Sequence, residues 1–180
     1  MRTLFLVAGG LAIATTFAGL TLAAQEAATW KLTSTLTAGA EVPKPTGVRL
    51  GATGTLTGNA VVTANGGARI AWQLRFSKLT GAAAAAHIHI GKKGKAGNVM
   101  VALCGPCKSG KRGTASVTKA QLATIRAGRS YVNIHTATNA AGEIRGQIKA
   151  TRGPSTTSQP PPAPPPPPPP GYEPPPDPYP

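Results

Sequence analysis

The chain carries little negative charge. Nineteen lysines and arginines stand against five aspartates and glutamates, giving a formal charge of +14 over 180 residues. Between residues 29 and 151 the only acids are Glu41 and Glu143, and there is no aspartate. That excludes the two facing carboxylates of glycoside hydrolysis and the carboxylate cage of a calcium or magnesium site. Aromatic residues make up 4% of the chain. They are too few to stack a run of bases, and no recognised binding motif is present, so nucleic acid is not an expected partner. No internal repeat is present. Histidine and cysteine are also scarce, with three and two copies, so any chemistry is confined to a few positions.

The two ends differ from the middle. Arg2 is the only charge before Glu26, and Leu4 to Leu22 is apolar or small throughout. Small residues in Thr21-Leu22-Ala23 fit a signal-peptidase site, so residues 1–23 read as a secretory signal cleaved after Ala23. The alternative is an uncleaved anchor, since the apolar run approaches the roughly 20 residues that span a bilayer. In that case this segment would be the chain's membrane contact. Residues 152–180 are dominated by prolines, including Pro164 to Pro170. Such a run has nothing to bury and is expected to be a disordered, extended polyproline tail. It reads as a spacer or, through Tyr172-Glu173 and Asp177-Tyr179, as a recognition segment.

Residues 29–151 are left as one β domain. Trp30, Leu32, Ser34 and Leu36 alternate with Lys31, Thr33 and Thr35, and Ile70, Trp72, Leu74 and Phe76 alternate with Ala71, Gln73 and Arg75. Asn65-Gly66 is a hairpin signal. Short alternating strands between Gly/Pro turns predict a sandwich or barrel. One short helix is expected, opened by a capping box of Thr118 and Gln121, striped by Leu122 and Ile125, and stopped at Gly128.

All three histidines lie in two alternating segments, Ala86-His87-Ile88-His89-Ile90 and Tyr131-Val132-Asn133-Ile134-His135. Successive side chains on a strand point to opposite faces. His87 and His89 therefore share one face, as do Tyr131, Asn133 and His135. If the strands are neighbours, the imidazoles converge, and a nitrogen site of this kind suits copper. Asn133 and Glu143 are the groups available to bond the second nitrogens. The structural alternative is three polar histidines on a solvated face, or bonded to backbone. Lys92, Lys93, Lys95, Lys108, Lys111 and Arg112 follow closely. Their field disfavours protonated imidazole and draws anions toward the site. It also fits a solvated surface, or attachment to anionic cell-surface polymers or phospholipid headgroups.

Cys104-Gly105-Pro106-Cys107 has the spacing of a redox motif, but the following Lys108-Ser-Gly-Lys-Arg-Gly113 cannot form the helix such a motif needs. In an exported chain two cysteines more often pair as a structural disulfide. Thiolate ligation of metal stays as the alternative.

Several segments, in order, resemble the CHRD family, described first in chordin. They are Leu36-Thr-Ala-Gly-Ala-Glu-Val-Pro43, Leu79 to His89, Val117 to Leu122, and Ala127 to His135 running on to Gly142-Glu-Ile-Arg-Gly-Gln-Ile148. The resemblance implies an immunoglobulin-like β-sandwich and says little about activity. A more distant likeness is to copper,zinc superoxide dismutase, a Greek-key sandwich. By that likeness His87, His89 and His135 would stand at copper-ligand positions, and Arg145 would resemble the anion-guiding arginine. A bridging histidine, an aspartate ligand and a zinc site are missing, so at most a lone copper site is implied. The expected protein is an exported binding module, in the periplasm, at the cell surface or secreted, with copper as its cofactor. Anionic envelope polymers or envelope proteins are its expected partners. The competing readings are a metal-free adhesion module, a dismutase-like copper antioxidant and a thiol oxidoreductase acting through Cys104.

Overall fold

The computed structural model describes residues 27–154. The expected signal segment and residues 155–180 of the expected proline-rich tail lie outside the described residues. Among the described residues nine strands and one α-helix follow in the order β1 (Thr29–Thr37), β2 (Thr53–Val62), β3 (Ala68–Ser77), β4 (Ala83–Ile90), β5 (Val99–Cys104), β6 (Arg112–Val117), α1 (Lys119–Arg126), β7 (Ser130–Thr136), β8 (Ile144–Gln147) and β9 (Lys149–Arg152), with a short 3-10 turn at Ala38–Ala40 after β1. Among the described residues no helix is long and apolar enough to cross a membrane.

Every pairing is antiparallel, and the strands run in the order β5-β4-β7-β8-β1-β2-β3-β6, with β9 also on β1. The β8–β1 link rests on one residue pair, Arg145 with Thr37. This narrow hinge divides the path into two layers, β5-β4-β7-β8 and β9-β1-β2-β3-β6, with their inner faces turned to one core. The chain changes layer at Ile148, between β8 on β7 and β9 on β1, a usual device for closing a sandwich. The result is the expected β-sandwich, nearly closed.

Strand alternation explains the core. Leu32, Leu36, Leu56, Ile70 and Leu74 come from one layer and Ile88, Val132, Ile134 and Ile144 from the other, all at most 1% exposed. The β2–β3 turn falls at Asn65-Gly66, where Gly66 takes φ +78°. The helix has its capping box, with Thr118 Oγ1 accepting from Gln121 N and Gln121 Oε1 accepting from Thr118 N. It ends before Gly128 at φ +66°, and buries Leu122 and Ile125. Cys104 and Cys107 form a disulfide in the β5–β6 connection.

Candidate metal centre

Strands β4 and β7 are neighbours. Their register pairs Ala85 with His135, His87 with Asn133 and His89 with Tyr131. Paired residues of antiparallel strands share a face, so the three imidazoles stand together on the face away from the core. One nitrogen from each of His87, His89 and His135 lies within 4.8 Å of the others. Ring centroids are 5.0 Å apart for His87 and His135, 5.7 Å for His87 and His89, and 6.0 Å for His89 and His135.

Hydrogen bonds assign the nitrogens. His89 Nδ1 is 2.8 Å from Gly97 O, and His135 Nδ1 is 2.9 Å from Ala140 O. A carbonyl can only accept, so in both rings Nδ1 carries the proton and Nε2 of the neutral ring is a lone pair. His87 Nδ1 is 3.1 Å from His135 Nε2 and therefore donates to it. His89 Nε2 is buried with no hydrogen-bond partner. Burial holds the His87 imidazole below its ordinary pKa, and His135 and His89 push it the same way. His135 is also lowered, chiefly by burial and further by His89, against the Ala140 carbonyl, which favours its proton. His87 and His135 are thus biased toward neutral, ligand-competent rings.

The groups behind the histidines differ from those expected. Carbonyls of Gly97 and Ala140 hold the second nitrogens, and neither Asn133 nor Glu143 does. Asn133 Nδ2 donates to Ala141 O at 3.5 Å. Glu143 faces away, accepting from Thr80 N at 2.7 Å, Thr80 Oγ1 at 2.5 Å and Thr136 Oγ1 at 2.7 Å. The reason is reach: the loops crossing this face bring backbone carbonyls closer to the rings than any carboxylate. Arg145 also differs from a solvent-facing anion guide. It is 1% exposed, and its Nη2 donates to Lys92 O at 3.0 Å and Lys95 O at 2.7 Å.

Arg145 acts on the site through Tyr131, a residue not singled out for any role by sequence. Its Cζ lies 3.3 Å from the Tyr131 ring centroid, and His89 stacks on the same ring at 4.9 Å with planes 10° apart. Gly97 N donates to Tyr131 Oη at 3.2 Å. The segment from Gly91 to Asn98 is thereby laid over the outer face by its own main chain. Gln147 Nε2 adds a bond to Gly91 O at 2.7 Å. Lys92, Lys93 and Lys95 point their charges out to solvent. The signal available in the sequence was the shared face of Tyr131, Asn133 and His135, together with three glycines in one short lysine-rich loop.

Comparison with known families matches residues 32–148 to the CHRD domain. No curated protein and no solved structure matches the chain.

Proposed function

The chain belongs to the CHRD domain family, and from that premise we propose an exported binding module that holds one copper ion at His87, His89 and His135. The observation that carries this reading is the buried, partnerless Nε2 of His89, aimed into a cluster whose three donor atoms lie within 4.8 Å. A buried polar atom without a partner is costly and calls for one. Nε2 of His89 and Nε2 of His135 are lone pairs already. His87 Nδ1 joins them when its proton moves to the Nε2 of the same ring, which gives up the hydrogen bond to His135. Imidazole donors suit copper and zinc alike, and of the divalent first-row ions copper(II) binds a given nitrogen site most tightly. The carbonyls of Gly97 and Ala140 fix the ring orientations in the manner usual for ligating histidines. Export belongs to the same reading: residues 1–23 carry a signal pattern, and a disulfide persists in an oxidising compartment.

A second reading rests on a specific contact. The 3.1 Å bond between His87 and His135 satisfies two of the rings without metal, as in an adhesion module whose histidines are structural. A dismutase-like activity has less support, because the chain holds three histidines and none remains to bridge to a second metal.

Metal content and copper affinity of the purified protein decide between them, with His87→Ala/His89→Ala as comparison. One copper per chain in the wild type, lost in the double variant, is the expected result. Equal occupancy in both would end the copper reading.

A further inference from the structure

The surface of this domain is cationic without counterweight. Glu41 and Glu143 are the acids among the described residues, and both are buried. Every described lysine and arginine is exposed except Arg145. A surface of one sign concentrates anions over it. On much of the domain these charges sit on loops; on one face they are ordered by strand geometry.

That face is the outer side of the β9-β1-β2-β3-β6 layer. Alternation sends Leu32, Leu56, Ile70 and Leu74 inward and the residues between them to solvent. The middle is hydroxyl and amide, with exposed Thr55, Thr57 and Asn59 on β2 and Thr114 on β6, and half-buried Gln73 on β3. Cations flank it on both sides. Lys31 and Lys149 stand on β1 and β9, and Arg69, Arg75 and Arg112 on β3 and β6. Register ties the flanks together: Lys149 pairs with Thr33, Thr33 with Thr57, Thr57 with Gln73, and Gln73 with Arg112. At a strand spacing of about 4.8 Å that row is ~19 Å long.

The face is also grooved. Four depressions, of about 500, 330, 360 and 240 Å³, open on it. They adjoin one another. The first and second share Lys31 and Asn59, the second and third share Thr57, and the third and fourth share Thr55. Small-molecule sites are enclosed clefts or cavities. A shallow row of adjoining depressions fits an extended chain instead. Thr, Asn and Gln side chains suit a ligand rich in hydroxyls, and arginines suit carboxylates. The aromatics that line it, Trp72 and Phe76, are 5% exposed and half-buried respectively, which leaves no fully exposed ring for bases to stack on.

We propose that this outer face is a docking groove for an extended anionic polysaccharide, its hydroxyls lying over the Thr/Asn/Gln floor and its carboxylates over the flanking arginines and lysines. The groove lies on the layer opposite the histidines, so it stands or falls independently of the copper reading.

The test uses the full chain and polygalacturonate as probe, with neutral dextran beside it, at about 0.15 M salt, where loose charge attraction is screened beyond roughly 8 Å. The wild type is expected to bind polygalacturonate and not dextran. Arg69→Gln/Arg75→Gln/Arg112→Gln removes three charges from the groove and is expected to weaken binding at least about tenfold. Lys44→Gln/Lys93→Gln/Arg129→Gln removes the same charge elsewhere and is expected to change it less than about threefold. Ala71→Tyr leaves the charge alone and fills the centre of the trough, and is expected to weaken binding too. All these positions are exposed, and thermal melts confirm that each variant folds. No binding by the wild type would overturn the proposal, as would equal losses in the two charge variants or wild-type affinity in Ala71→Tyr. Tighter binding to anionic phospholipid vesicles or to single-stranded DNA would show the partner class to be wrong.

Discussion

His89 Nδ1 and the carbonyl oxygen of Gly97 are 2.8 Å apart, and this one contact decides which nitrogen of His89 is left free. Gly97 also donates from its own amide to Tyr131 Oη, on whose ring His89 stacks. A single glycine therefore sets the tautomer of the ring and the position of its stacking partner. A Cβ at residue 97 would lie 1.7 Å from Ile90 O, so no side chain fits without lifting the loop.

Gly97→Ala is accordingly expected to lower copper affinity by about 10- to 100-fold, the usual effect of losing a partner behind a ligating histidine. It is also expected to cost about 2 kcal/mol of stability. Copper titration with a parallel urea melt measures both. Wild-type affinity in Gly97→Ala would show that the loop does not orient His89.

Acid should weaken the metal-free protein through the histidines. Burial lowers the pKa of His87 and His135 in the folded state, while the unfolded chain keeps the ordinary value near 6.5. Between those values the unfolded state binds more protons, so stability rises with pH there. This contribution is complete above pH 6.5 and is lost as pH falls from 6.5 toward the folded values. Melts of chelator-treated protein from pH 8 to pH 5 should show that loss, and His87→Gln/His135→Gln should flatten it. An equal pH slope in the variant would place the titration elsewhere.

The two buried glutamates should respond oppositely to neutralisation. Glu143 has burial raising its pKa, but hydrogen bonds from Thr80, Thr136 and Asn139 outweigh it and hold the carboxylate ionised. Glu41 is raised, with burial outweighing the Val42 amide and the Arg145 charge, and its Oε2 has no partner. Glu143→Gln puts an amide NH₂ against donors and is expected to cost about 2 kcal/mol. Glu41→Gln removes a poorly compensated charge and is expected to be neutral or slightly stabilising. Thermal melts at pH 7 compare them; equal losses would mean that Glu41 is as well satisfied as Glu143.

What the sequence disclosed was whatever alternation and local spacing encode. The period of two in Ile70 to Phe76 gave β3 and its inward face. Thr118 and Gln121 gave the helix start. Alternation in the His-Ile-His and Asn-Ile-His segments gave the shared face of the imidazoles once the two strands paired. The partners behind the rings were not legible, because Gly97 and Ala140 act through main-chain carbonyls that every residue type possesses. Glu143 drew attention as the charged residue near the histidines, yet strand β8 begins beside it and turns it to Thr80 and Thr136. The burial of Arg145 was hidden for a related reason: an alternating strand predicts an outward arginine, and only the crossing of loop 91–98 covers that outer face.

The Cys104–Cys107 disulfide should prove structural. It closes the β5–β6 turn, Cys107 is 7% exposed, and its amide donates to Ala83 O at 3.0 Å, docking the turn on the start of β4. Residues 108–111 form a turn leading into β6, so Cys104 lacks the helix N-terminus that stabilises a reactive thiolate. Chain entropy for so small a ring is worth about 2 kcal/mol. Cys104→Ser/Cys107→Ser is therefore expected to lower the unfolding free energy by that amount in urea melts, and to leave the copper stoichiometry unchanged, since Cys104 pairs with Ala86 and not with a histidine. An insulin-reduction assay on the wild type should show no turnover; reductase activity abolished by Cys104→Ser alone would instead make the pair a redox centre.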